Sequence, residues 1–300
     1  MGRLSSLSEA QAGAYRDARP PYPRSWFKML AEKTDMHERA WDAGTGNGQA
    51  AIGVAEHYKR VVATDISKEQ LRRATPHQRV KYCLTPEHMS EDELVDLVGG
   101  DDSIDLVIAA QAVHYFNLEK FYNVVRRVLR KPGGVIAVWV FNEISISSAV
   151  DKVFRRISDS TIPFRNDRTN MALAGYNNLP FPFRNIGIGS EGNSHALKLH
   201  SKLSLEGFKN YLKSWQLIVK AKGKGKDLLT KRVMSDLEDA WGRNPDRDVV
   251  YKFFMIAGTC SEDSESSEDS ETSDEDSDES DERLGALKGV AMLVVKTLFC

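Results

Sequence analysis

The chain has 300 residues, 41% of them hydrophobic, enough for one large core or two small ones. The formal charge of −2 hides a segregation: residues 261–282 hold 13 acidic side chains and no basic one, against 41 Lys and Arg and 30 Asp and Glu elsewhere. Three scattered cysteines make neither a disulfide framework nor a zinc site, and the absence of an apolar signal core or of a run of ~20 apolar residues argues against secretion and a membrane span. A cytoplasmic protein without a metal is expected.

From residue 39 to 141 strand and helix patterns alternate. "RAWDAG" is a strand that ends in glycines, and "QAAIGVAEHY" reads as a helix. "RVVATD" is a buried-type strand, followed by a helix "SKEQLRRA" with Ser67 as its N-cap. "VKYCL" is the third strand. "SEDELVDLV" is a helix opened by the capping box Ser90–Glu93. "IDLVIAAQA" is the fourth strand. "NLEKFYNVVRRVLR" puts Leu118, Phe121, Tyr122, Val125, Val128 and Leu129 on one face, with Asn117 as cap. "KPGG" stops it before a fifth strand, "VIAVWVF". Such alternation predicts an α/β fold with a doubly wound, mostly parallel sheet.

Beyond residue 141 the regularity drops. "IPFRNDRTNMALAGYNNLPFPFRN" reads as loop, "LSLEGFKNYLKSWQLIV" as one helix, and "VVYKFFMIAG" as a final strand.

Gly44, Gly46 and Gly48 follow a strand and precede a helix, the place where an α/β sheet binds ligands. Glycines there let a ligand touch bare backbone. "GNGQAA" satisfies the dinucleotide spacing, so NAD is one reading, whereas no Lys-Ser/Thr pair follows to make a phosphate-binding Walker loop. Asp65, ending the second strand, suits ribose hydroxyls in either a dinucleotide or S-adenosylmethionine. Asp42 tips the balance: it sets a negative charge beside the glycines, where a cationic amino group fits better than a pyrophosphate.

"YRDARPPYP" (15–23), "WDAGTGNGQA" (41–50), "ATDISKEQL" (63–71), "AAQAVHYF" (109–116) and "RVLRKPGGVIAVW" (127–139) occur in this order. As a set they resemble the S-adenosylmethionine-dependent methyltransferases of the Rossmann type, and among them the small-molecule enzymes that include trans-aconitate methyltransferase and its eukaryotic relatives. The resemblance covers about residues 10–258. Where that group usually has His-Trp-Phe, this chain has His114-Tyr115-Phe116. It implies an antiparallel last strand, an irregular substrate cover, and three parts within a methyltransferase domain of residues 1–258: a cofactor-covering segment (1–38), a cofactor-binding core (39–141) and a substrate-cover region with the last strand (142–258).

The resemblance also implies roles. Asp42, Gly44, Thr45, Gly46 and Gly48 hold the methionine part of S-adenosylmethionine. Asp65 takes the ribose, Ile66 packs on the adenine, and Glu87 stands beside it. Ala109 to His114 face the methionine moiety and the methyl acceptor, with His114 the candidate catalytic group. Tyr15 and Arg19 close over the cofactor. The expected acceptor is a small molecule, with Arg165, Arg168, Arg184 and His114 as groups to receive a carboxylate. A phenol or amine would instead need a base, and His114 is the best-placed one. Two alternatives stand beside this reading: an NAD(P)-dependent oxidoreductase, and a non-catalytic protein that keeps the pocket and acts through its acidic tail. No nucleic-acid partner is expected.

The acidic tract (259–283) is expected to be disordered, and its serines suit an acid-directed kinase. Residues 284–300 form an apolar tail without an assigned role.

Overall fold

The computed structural model describes residues 21–260. Tyr15, Arg19, residues 261–283 of the acidic tract and the apolar tail lie outside the described residues, whereas Thr259, read as the start of the tract, is the last residue of the final strand.

Five parallel strands form the frame: β1 (Arg39–Ala43), β2 (Arg60–Asp65), β3 (Val80–Leu84), β4 (Leu106–Ala110) and β5 (Val135–Ser145). Three more follow: β6 (Arg184–Asn185), β7 (His195–Ser204) and β8 (Asp246–Thr259). The sheet order is β3-β2-β1-β4-β5-β8-β6, and β7 also pairs with β8. As expected, β8 runs antiparallel to β5. The order reverses between β1 and β4, so a crevice opens above their carboxyl ends.

Helices cover both faces, because β1, β4 and β5 are buried on each side and need apolar partners there. On one face, α1 (Arg24–Ala31) and α2 (Gln49–Ala55) pack Phe27, Leu30, Val54 and Ala55 against Ala40, Ile108 and Trp139. Beyond the short α3 (Lys68–Leu71), α4 (Glu91–Val98) and α5 (Leu118–Val128) cover the other face, with Val95, Val98, Phe121 and Val125 against Trp41, Val107 and Val138. The caps are those the sequence predicts. Ser67 accepts from the Gln70 N–H, Asn117 from the Lys120 N–H, and Ser90 with Glu93 closes a reciprocal box. On the predicted face of α5, Leu118 is only half-buried, and Val124 is buried in addition.

The carboxyl half departs from its reading. The stretch read as loop contains α7 (Asp167–Leu173), after α6 (Ser148–Ser160), which the sequence reading leaves unassigned. α7 has no fully buried residue and hence no apolar period to read; its signal is the Asn166–Thr169 capping box. The helix expected across 203–219 is two, α8 (Leu205–Ser214) and α9 (Gln216–Gly223). Trp215 between them is extended (φ −68°, ψ 123°) and turns its ring onto Phe154. α10 (Lys231–Trp241) and the edge strand β7 are likewise unassigned in the sequence reading.

Candidate functional site

The glycine loop leaves the sheet between β1 and β2. The N–H groups of Gly44 and Thr45 both donate to the Thr64 carbonyl (2.8 and 2.9 Å), which ties the loop to the end of β2. Gly44, Gly46 and Gly48 have φ of 71°, 58° and 86°, in the left-handed region that favours glycine. They differ in surroundings. A Cβ on Gly44 would lie 2.5 Å from Cβ of Ala112, and one on Gly48 would lie 2.3 Å from the Tyr82 hydroxyl oxygen. A Cβ on Gly46 would meet nothing within 4 Å. Gly44 and Gly48 therefore serve packing, and Gly46 turns bare backbone toward open space.

Two acids flank the loop. Asp42 is fully buried, and its Oδ2 accepts from the Thr45 hydroxyl at 2.6 Å. Its Oδ1 has no hydrogen-bond partner. A buried acceptor without a donor is costly, so it points to a ligand that brings one. Burial pushes the carboxyl up to about 7; the Thr45 hydroxyl and the Ala51 N–H oppose this, and the nearby Asp65 charge adds to it. Tyr82, across the loop, is pushed up to about 12 by burial and by the Asp42 charge. Asp65 receives the N–H of Gly46 on Oδ2 and that of Ser67 on Oδ1, both at 2.8 Å. It thus shapes the glycine loop while keeping lone pairs for hydroxyls, and burial still raises its pKa against those bonds.

Beside Asp65, Ile66 is half exposed, as is Leu84 at the adjoining end of β3. Such apolar exposure suits a planar ring. Glu87 is exposed in the loop after β3.

The ends of β4 and β5 form the second wall. Ala109 is fully buried, its side chain in the core on the α4/α5 face, so only its backbone is left to contact a ligand. Gln111 follows in a left-handed conformation (φ 59°), with its side-chain amide nitrogen buried and unpartnered. His114 sits in a 3-10 turn (Val113–Tyr115), 7% exposed, with Nδ1 2.9 Å from the Tyr176 hydroxyl. Burial and the Arg168 charge lower its pKa to about 4, so the ring is neutral at neutral pH. Tyr176 is itself left-handed (φ 62°) and fully buried. Residues held in sparsely populated conformations cluster at functional sites. On β5, Asn142 donates to the Leu173 carbonyl at 2.6 Å, fastening the end of α7, while its Oδ1 is buried and unpartnered. The Trp139 indole N–H is buried and unpartnered too.

Of the basic residues proposed to meet a carboxylate, Arg168 is exposed on α7 and within electrostatic reach of His114. Arg165 is engaged elsewhere: it donates to Ser158 O (2.7 Å) and Thr161 Oγ1 (3.2 Å), closing the end of α6. Arg184 is a correction. It pairs with Thr259, and the adjoining Gly258 pairs with Ile136 at the start of β5, so Arg184 stands at the amino edge of the parallel strands. Tyr176 and Asn142 border the candidate site and were not singled out in the sequence, and Gln111 was covered only by the Ala109–His114 stretch, without a role of its own. Gln111 lay inside a recognised motif, Tyr176 lay in the segment read as loop, and Asn142 directly followed the expected fifth strand.

Among the described residues no group of three or more His, Cys, Asp or Glu could hold a metal ion, and no helix is long and apolar enough to cross a membrane.

Residues 41–138 match the profile of a family described as methyltransferase domain. A candidate methyltransferase of Dictyostelium discoideum is 32% identical over 150 residues, 50% of this chain and 52% of the relative. A candidate S-adenosylmethionine-dependent methyltransferase of Saccharomyces cerevisiae is 27% identical over 135 residues, 44% of this chain and 45% of the relative. The matched part thus spans about half the length of these curated relatives. Among solved structures, a candidate type II methyltransferase from Anaeromyxobacter dehalogenans is 32% identical, with a TM-score of 0.67, covering 80% of this chain and 97% of that one.

Proposed function

Because the chain belongs to the S-adenosylmethionine-dependent methyltransferases and takes that cofactor, we propose that it methylates a small molecule, at a carboxylate oxygen. The observation that carries the cofactor-site assignment is Asp42. A buried carboxylate with one unpartnered oxygen, beside the glycine backbone that faces open space, suits a cationic amino group and would repel a pyrophosphate.

In this reading Asp42, Gly44, Thr45, Gly46 and Gly48 hold the methionine end. Asp65 takes the ribose hydroxyls, Ile66 covers the adenine, and Glu87 stands at its edge. The Ala109 backbone borders the reacting centre, and Tyr15 and Arg19 close over the cofactor. When bound, S-adenosylmethionine supplies a methyl group activated by a sulfonium. The protein's part is alignment and exclusion of water, and alignment can be worth about 7–11 kcal/mol.

Two features of the second wall favour a carboxylate acceptor. It is already ionised at neutral pH and needs no base, which matches a histidine whose pKa lies at about 4. It also needs positive charge and donors. Arg168 has no ion-pair partner among the described residues, and the Gln111 amide nitrogen has no acceptor. His114, neutral and held by Tyr176, contacts and orients the acceptor in this account. The resemblance to trans-aconitate methyltransferase, an enzyme of carboxylate substrates, points the same way.

The test is turnover of methyl-labelled S-adenosylmethionine with a panel of carboxylic acids, phenols and amines. Base-labile methyl esters from one or more acids are expected. Products from phenols or amines alone would overturn the carboxylate assignment, and no turnover together with tight S-adenosylhomocysteine binding would favour a non-catalytic pocket.

A further inference from the structure

The amino ends of the parallel strands hold a second concavity, at the opposite end of the sheet from the glycine loop. Its volume is about 400 Å³, and Glu38, Arg39, Arg60, Asp102, Ser103 and Arg130 line it. That is within the ordinary range of small-molecule sites.

Its charges are arranged unusually. Arg39 and Arg60 open β1 and β2 and lie directly opposite one another in the parallel register. Like charges placed opposite in a sheet repel. The nearby acids do not relieve them. Glu38 is taken by Lys59 at 2.5 Å, Asp102 by Lys131 at 3.6 Å, and the buried Asp105 by Arg130 at 2.6 Å. The Arg39 guanidinium donates one bond, to the Gly99 carbonyl at 3.1 Å, and pairs with no acid among the described residues. The Arg60 side chain makes no hydrogen bond or ion pair among them. Two arginines in register therefore line one cavity, and neither has an ion pair among the described residues. Guanidinium forks of this kind bind the oxygens of a phosphate in pairs.

We propose that this cavity is a second ligand site, taking a phosphomonoester whose phosphate lies between Arg39 and Arg60. The remaining volume accommodates the organic part of the ligand, and Ser103 Oγ, whose hydrogen goes to the Gly100 carbonyl, keeps lone pairs for one of its hydroxyls. The site is independent of the methyl-transfer reading, because no residue of the glycine loop borders it.

The experiment uses the full chain saturated with S-adenosylhomocysteine, so that the cofactor site is blocked. Glycerol phosphate and inorganic phosphate are titrated in by calorimetry at constant ionic strength, with chloride as the balancing anion. Saturable 1:1 binding is expected, tighter for glycerol phosphate. Arg60→Gln should weaken it about tenfold or more, and Arg39→Gln likewise. Lys231→Gln, at an exposed lysine that opens α10, should leave it unchanged. Unaltered S-adenosylhomocysteine affinity in each variant checks the fold. Absence of saturable binding at millimolar phosphate, or equal weakening by Lys231→Gln, would overturn the proposal.

Discussion

Two buried aspartates stand at opposite ends of the same strands, and their surroundings differ in kind. Asp105, 1% exposed before β4, has every need met: it receives the N–H groups of Glu38 and Arg39 at 2.7 and 2.9 Å and the Arg130 guanidinium at 2.6 Å. Asp42, fully buried at the end of β1, has the Thr45 hydroxyl on Oδ2 and no hydrogen bond on Oδ1, with the Ala51 N–H a further donor nearby. A satisfied buried charge fixes strand ends in place. An unsatisfied one costs stability and persists where a ligand completes it. The orphaned groups of Gln111, Trp139 and Asn142 lie on β4 and β5 or just after them, and the left-handed Gln111 and Tyr176 belong to the same wall.

The sharpest way to break this contrast is to neutralise each acid. Asp105→Asn leaves Arg130 without its counter-charge and should destabilise the fold by about 3 kcal/mol, the low end for a broken buried pair because Arg130 is partly exposed. Urea unfolding reads this, and S-adenosylhomocysteine affinity should survive. Asp42→Asn should do the reverse. Its carboxyl is raised from 3.8 to about 7 on folding, so the unfolded chain ionises first and the wild type loses stability as pH rises between those values. The variant should therefore unfold later than wild type above pH 7, yet bind cofactor more weakly. A loss of stability there would place Asp42 with Asp105 as a structural group.

The glycines permit a similar separation. Gly44→Ala drives a Cβ into Ala112 and should lower the melting temperature markedly. Gly46→Ala meets no neighbour, so it should cost only about 1–2 kcal/mol of backbone strain while cutting cofactor affinity more than stability. Equal effects on both readouts would mean that Gly46 serves the turn alone. Asp65→Ala should weaken S-adenosylhomocysteine by about 1.5–3 kcal/mol through lost charged hydrogen bonds. Unchanged affinity with an intact circular dichroism spectrum would remove the ribose assignment.

Smaller effects belong to the acceptor wall. Arg168→Gln should raise KM for a carboxylate acceptor about tenfold with little change in kcat. For His114, a pKa of about 4 means that kcat should be flat from pH 5.5 to 8. A rise through pH 6.5 that vanishes in His114→Gln would restore the general-base role and, with it, a phenol or amine acceptor.

Strands β1 to β5, the capped helices α3 to α5 and the glycine loop were legible because short-range signals specify them: apolar runs bounded by glycine, and Ser or Asn caps. Beyond residue 141 the signals were weaker or unused. β7 alternates Leu197 and Leu199 with Lys198 and His200, and α6 spaces Val150, Val153 and Ile157 on one face, so both could have been read. α7 could not be read from period, since it rests on the site with no buried stripe of its own. In the site, Asp42 and Asp65 were legible as acids at strand ends. That Asp65 braces Gly46 depends on a contact between residues 19 apart, and that Asp42 keeps an unpartnered oxygen depends on its burial by the assembled sheet, neither of which a local pattern contains.

The central claim, that Asp42 receives the cationic end of the cofactor, is tested most directly by proton release. S-adenosylhomocysteine carries that amino group, and at pH 6.5 its arrival should drive ionisation of a carboxyl whose pKa burial raises to about 7 in the free protein. Calorimetric titrations at that pH, in two buffers of different ionisation enthalpy, should report net proton release for wild type and almost none for Asp42→Asn, which should also bind more weakly. Identical heats in both buffers for wild type, with Asp42→Asn binding as tightly, would contradict the account.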